Sequence, residues 1–152
     1  MYGEKVIKSL SGGDRVHMEF NASGTFAANE FVKFDDAGEI EVGAGASAIL
    51  GVAREAGASG TDNVLVDITP HMVVLMDNDN SGATFAATDV GDYADFTGGT
   101  GAQQVDTSGL GSTVANLRCL EYNPQGYGKS FDSDTSIGLF FVVERELAEL
   151  AT

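Results

Sequence analysis

Tryptophan is absent from the sequence, cysteine occurs once, at Cys119, and 8 lysines and arginines stand against 23 aspartates and glutamates. A lone cysteine gives no internal disulfide framework and no cluster of thiolate ligands. The lack of an indole platform lowers the prospects for sugar chemistry, even though carboxylates for a glycosidase pair abound. Nowhere do about 18 apolar residues follow one another, the length a membrane-spanning helix needs. The opening MYGEKVIKSL carries Lys5 and Lys8 but no apolar run of the kind a signal peptide requires. The expectation is a soluble protein made in a cytoplasm.

The scarcity of basic residues has a further consequence. The net charge is −15, and between Arg54 and Arg118 there is no lysine or arginine, whereas Asp62, Asp67, Asp77, Asp79, Asp89, Asp92, Asp95 and Asp106 fall in that span. Phosphate backbones are captured by clustered Lys and Arg, so neither nucleic acid nor an anionic membrane is an expected partner. A solvated, solubilising surface is the plain reading of such a charge.

What is present is a chain of 152 residues, enough for one domain that buries roughly 70% of its unfolded surface. It is punctuated by Gly, Ser, Asn and Asp rather than by proline. Apolar residues come in short runs of strand length: 15–20, 30–34, 39–42, 48–54, 63–68, 71–76, 92–96, 102–106, 112–122 and 136–144. Turns such as DDAG, SGTDN and DNDNSG separate them at the spacing of a sandwich or barrel. Helical periodicity is confined to ERELAEL at 144–150, which reads either as a helical turn or two or as the end of the last strand. The predicted class is all-β, a sandwich or barrel-like domain over residues 15–152, with at most a short C-terminal helix.

An internal echo subdivides this domain. SGTFAANEFVKFD at 23–35 resembles SGATFAATDVGDYADF at 81–96, each with TFAA ahead of an aromatic strand. GVAREAG with NVLVDI is then paralleled by NLRCLEYNPQG with GLFFVV. Two related β units, 20–80 and 81–145, would bury their faces against each other; chance similarity in a chain this rich in Gly and Ala is the competing reading.

Motifs for chemistry fail on inspection. MDNDNSGAT at 76–84 begins like a calcium loop, with Asp77, Asp79 and Ser81 at alternate positions before Gly82. Such a loop requires a bidentate Glu at position 12, which here is Thr88, and a preceding helix where HMVVLM reads as a strand. FDSDTSIG at 131–138 sets Asp132 and Asp134 before Ser136 with its glycine out of place. Both read as Asx-type turns, so no metal is expected. His17 and His71 each alternate with apolar residues and read as structural. Cys119, inside LRCLEY, reads as a small core residue. GAGAS at 43–47 and GGTGA at 98–102 lack the Lys and following helix of a phosphate cradle. No catalytic residue and no cofactor is expected.

The stretch FVKFDDAGEIEVGAGASAILGVAREAGASGTDNVLVDITPHMVVLM, residues 31–76, resembles the head decoration, or cement, proteins of tailed bacteriophages. The features that carry the resemblance are a strand with an Asp/Gly turn, a small-residue loop, an ILGVA-type strand, a Gly turn and an alternating V-x-V strand. DVGDYADFTGG, QQVDTSG and LRCLEYNP are similar to a second β unit of phage virion proteins. The resemblance implies a structural virion protein on the outer capsid surface. It would be made in the host cytoplasm, bind the major capsid protein, and assemble with itself as a trimer in preference to a dimer. The low basic content departs from the pattern and leaves open how the shell is gripped. A head fibre or host-adhesion module recognising a cell-surface glycan is the alternative, and a calcium-dependent secreted β domain a further one.

The predicted contact segment is the N-terminal arm, residues 1–14. There Lys5, Val6, Ile7, Lys8 and Leu10 mix apolar and basic side chains and could add a strand to an exposed sheet edge on a coat protein or sister subunit. Equally, the arm could be the first strand of the domain's own sheet.

Overall fold

Short alternating runs give short strands, and their pairing decides which residues meet. The computed structural model describes residues 5–45, 47–79, 85–97, 103–122 and 137–147. The strands are β1 (Val6–Ser9), β2 (His17–Phe20), β3 (Phe31–Phe34), β4 (Ile40–Val42), β5 (Gly51–Ala53), β6 (Val64–Asp67), β7 (Met72–Asp77), β8 (Tyr93–Ala94), β9 (Phe96–Thr97), β10 (Gln104–Val105), β11 (Leu117–Tyr122) and β12 (Ile137–Val142). Each of the ten predicted runs contains a strand. DYADF divides into β8 and β9, which enter different sheets, and β1 forms where an arm was one of two expectations.

Two five-stranded sheets pack as a sandwich, not a closed barrel. One has the order β1-β7-β12-β11-β8, the other β2-β6-β5-β3-β4, and β10-β9 forms a small ribbon. Strand pairing within all three is antiparallel. The alternation of side chains across a strand builds the core between the sheets: Met72, Val74 and Met76 of β7, Leu117 and Cys119 of β11, and Phe140 and Val142 of β12 meet Phe31, Ile49 and Val52. Phe31 and Phe96 pack with ring centroids 4.8 Å apart. The intervening residues of the second sheet, Val32, Ala53, Val64 and Val66, form a separate cluster with Ala22, Phe26, Ile40 and Leu50. That sheet is therefore buried on both faces at β5 and along most of β6.

The two sheets follow one path. In the second, β2, β3, β5 and β6 lie in the order β2-β6-β5-β3; in the first, β7, β8, β11 and β12 lie in the order β7-β12-β11-β8. Phe26 lies between β2 and β3, Phe85 between β7 and β8, and both rings are buried. The chain passes from sheet to sheet in the turn 68–71, so β7 already belongs with the later strands, ahead of Ser81, where the sequence echo opens. His71 takes a positive φ of 50° in this turn.

The short C-terminal helix does not form over the described part of ERELAEL. Arg145 makes a parallel bridge with Ile49, which donates to the Glu144 carbonyl and accepts from the Glu146 N–H, and residues 146–147 then bend away from a strand path. Docking on the sandwich supplies these backbone groups with partners, which two turns of isolated helix could not. Residues 148–150 lie outside the described residues. Among the described residues, helix is limited to single 3-10 turns at Ala87–Asp89 and Thr107–Gly109, and no helix is long and apolar enough to cross a membrane.

Candidate functional site

Sheet order places the first strand of each sheet, β1 and β2, at an edge. Both edges lie on the same side of the sandwich, because the chain between them runs beside the crossover turn. Leu10 donates to the His71 carbonyl, Ser9 Oγ to the Pro70 carbonyl, and Ile68 to the Val16 carbonyl.

The residues of the predicted contact segment are divided by β1. Its pairing with β7, from Val6 opposite Val74 to Ser9 opposite Met72, makes it a strand of the domain's own sheet. Val6 enters the core between the sheets. Lys5 is also buried, its ammonium 4.5 Å from the centroid of the Phe31 ring. Burial pushes its pKa down to about 8, against the opposing pull of Glu30 and Asp77. Ile7 is half-buried against a third cluster formed by Val73, Leu75, Ile137 and Leu139 on the other face of the sheet. Only Lys8 and Leu10 are exposed, Leu10 by 54%. A shift in register between Val6 and Lys8 bulges the strand, a device that discourages pairing along its outer edge.

β2 is anchored from beneath by a buried carboxylate. Asp67 is fully buried, and its Oδ2 accepts from Arg15 Nε at 3.0 Å and Nη2 at 2.6 Å, with His17 Nε2 at 3.5 Å. Its Oδ1 accepts from the Thr69 N–H at 3.0 Å and the Thr69 hydroxyl at 2.5 Å. A buried charge needs such partners, and this set ties 15–17 to the crossover turn. Unlike β1, β2 pairs with β6 without a register shift, and His17, Met18 and Glu19 are exposed.

The residues weighed for chemistry are occupied structurally. Asp79 Oδ1 accepts from the Thr107 hydroxyl at 2.8 Å, and the Asp79 N–H donates to the Val105 carbonyl, so the start of MDNDNSGAT secures 105–107; residues 80–84 lie outside the described residues, as do 131–136. Cys119 is buried, and desolvation pushes its thiol up to about 11, with Asp89 and Asp92 adding to the rise. A thiol so placed is not a nucleophile near neutrality. His71 stands in a turn rather than a strand, its ring stacked on Phe141. Among the described residues no group of three or more His, Cys, Asp or Glu side chains is arranged to hold a metal ion.

Two residues that periodicity could not single out hold the frame. The Gln103 side-chain amide accepts from the Phe31 N–H at 2.6 Å and donates to the Phe31 carbonyl at 3.1 Å, in the manner of a neighbouring strand. Arg145 donates to the carbonyls of Thr69, Leu50 and Ile68. These bonds to Phe31, Thr69, Leu50 and Ile68 each span at least 72 positions of the chain. No family model, curated protein or solved structure matches the chain.

Proposed function

We propose that this chain is a structural virion protein that binds the outside of an assembled phage capsid and stabilises contacts between major capsid protein subunits. The observation that carries this reading is the side of the sandwich where β1 and β2 lie. There exposed Leu10 and Lys8 give an apolar and basic contact surface on a chain whose net charge is −15. The family resemblance and the all-β sandwich agree with such a role. A protein that binds the assembled lattice and not free subunits stabilises that lattice by mass action and requires no catalytic group. Repeated around a symmetric shell, individually modest contacts are multiplied by effective concentration. The acidic remainder would face solvent and keep particles apart.

The bulge in β1 and its pairing with β7 redirect the expected mode of contact from strand addition to side chains. Removing residues 1–10 would strip Val6 from the core, so the test uses the surface alone. Co-sedimentation with capsids of the phage that encodes the protein should fall at least tenfold for the double variant Lys8→Glu/Leu10→Glu with the fold intact. Undiminished binding would remove this surface from the reading. Absence of the protein from purified virions would remove the reading itself, and binding to a glycan array without binding to capsids would favour the host-adhesion alternative.

A further inference from the structure

We propose that β2 is a self-pairing edge: two copies of this chain join antiparallel along β2, about a twofold axis through Met18, so that one sheet runs through both. The proposal stands independently of the capsid reading, and it replaces the trimer implied by the family resemblance with a twofold pair.

The backbone provides the first argument. Ile68 donates to the Val16 carbonyl, and hydrogen-bonded positions alternate along an antiparallel pair. Val16, Met18 and Phe20 therefore turn their peptide groups toward β6, while His17 and Glu19 turn theirs outward. Two outward residues with one between them are what a twofold antiparallel pairing needs. About an axis at Met18, His17 of each copy exchanges both bonds with Glu19 of the other.

Side chains fit the same register. His17 faces Glu19 of the second copy, an imidazole opposite a carboxylate; Met18 faces Met18; Val16 faces Phe20. Val16, Met18 and Phe20 share the face of Val64 and Val66, against which Phe20 already packs. Pairing would continue that apolar row across the axis and cover Met18 and Val16, which are 50% and 39% exposed. A register centred on His17 is poorer. It would set imidazole against imidazole and offer Glu19 the Arg15 guanidinium, which Asp67 already holds.

The two edges on this side also differ in how they are guarded. Sheet edges are kept from pairing by bulges, lysines and prolines. β1 has a bulge and Lys8; β2 has an unbroken register, no lysine and no proline, and its outward side is open as far as Glu19, beyond which Ile40 of β4 donates to the Asn21 carbonyl and accepts from the Ser23 N–H. The opposing term is charge. With −15 on each copy, long-range repulsion works against association until salt screens it. A strand pair confined to His17–Glu19, because β4 bonds the chain from Asn21 onward, is also smaller than a standard interface. The pair is accordingly weak in isolation and strengthens with ionic strength, the reverse of an interface held by opposite charges.

Sedimentation velocity of the full chain, from about 10 μM to about 1 mM, tests this. The expected result is a monomer–dimer equilibrium whose dissociation constant falls at least threefold from low to high salt. Glu19→Pro removes an outward N–H without touching the β6 pairing, and Met18→Lys places charge at the axis; each should raise the constant at least tenfold while circular dichroism and Tm are retained. In a Met18→Cys variant, mild oxidation should link two copies at position 18, because Cys119 is buried, whereas Val114→Cys, exposed elsewhere, should not link. A strict monomer in high salt without the Met18→Cys crosslink, a trimer, or a dimer indifferent to Glu19→Pro and Met18→Lys would each overturn the proposal.

Discussion

Gly57 and Phe26 are locked together: a Cβ on Gly57 would lie 2.4 Å from Cζ of the Phe26 ring, and the two residues exchange both backbone hydrogen bonds at 3.0 Å. The ring is 1% exposed and fills the cluster on the face of the second sheet turned away from the first. Neither partner can withdraw without breaking the bridge that pins 21–28 over that sheet. Gly57→Ala should therefore destabilise by about 1–3 kcal/mol, the usual cost of overpacking. Urea unfolding would measure it, and Phe26→Leu in the same chain should cost less than the sum of the two changes, since they share one volume.

The pair Arg15 and Asp67 should respond unequally to truncation. Arg15 keeps 28% of its side chain exposed and can return to water, whereas Asp67 is at 0%. Arg15→Ala strands a buried carboxylate with Thr69 and His17 as its remaining partners among the bonds described, and should cost about 3 kcal/mol. Asp67→Asn keeps an acceptor for Thr69 and removes one partner of a cation that already reaches solvent, and should cost about 1–2 kcal/mol. Thermal unfolding of both variants checks the order; a costlier Asp67→Asn would mean that the guanidinium has no route to solvent.

Much of this architecture is legible in the sequence because strand alternation is a local signal. Met72, Val74 and Met76 face one side and Val73 and Leu75 the other, as HMVVLM suggests. What sequence does not carry is which strands end at an edge. RVHMEF reads like any half-buried strand, and only the sheet order leaves Met18 exposed. The same limit governs the predicted contact segment: Lys5 and Val6 look as available as Lys8 and Leu10 until β7 takes β1 as its partner. Asp95 shows it again, standing between β8 and β9 where the chain leaves one sheet for the small ribbon, its carboxylate accepting from the distant Asn116 N–H. Gln103 and Arg145 are invisible to periodicity because their partners are fixed by the packing of the two sheets.

Gln103 should be worth more than its place in a loop suggests. Phe31 is fully buried, and its N–H has the Gln103 carbonyl oxygen at 2.6 Å. Gln103→Ala leaves that donor dry, at a cost of about 1–3 kcal/mol. Hydrogen exchange localises the effect: the Phe31 amide should lose protection, while the Leu75 amide, which donates to the Lys5 carbonyl, should keep it.

Alkaline pH separates the two buried titrating groups, because their signs oppose. Lys5 has its pKa lowered from 10.5 to about 8. Between those values the unfolded chain holds a proton that the folded chain has lost, so stability rises with pH across that window. Below about 8 both states are protonated and the whole penalty for burying the ammonium is present, about 3 kcal/mol. Cys119 moves the other way, from 9.0 up to about 11. Between those values the unfolded chain has lost a proton that the folded chain keeps, so its contribution to stability falls as pH rises. Lys5→Met should therefore raise stability at pH 7 and abolish the rising limb between about 8 and 10.5, and Cys119→Ala should remove the falling limb that overlaps it. Urea midpoints for wild type and both variants, measured at intervals across this range, give each contribution as a difference. A Lys5→Met variant that is less stable than wild type at pH 7 would show that the Phe31 ring, Glu30 and Asp77 together more than compensate the ammonium for its burial.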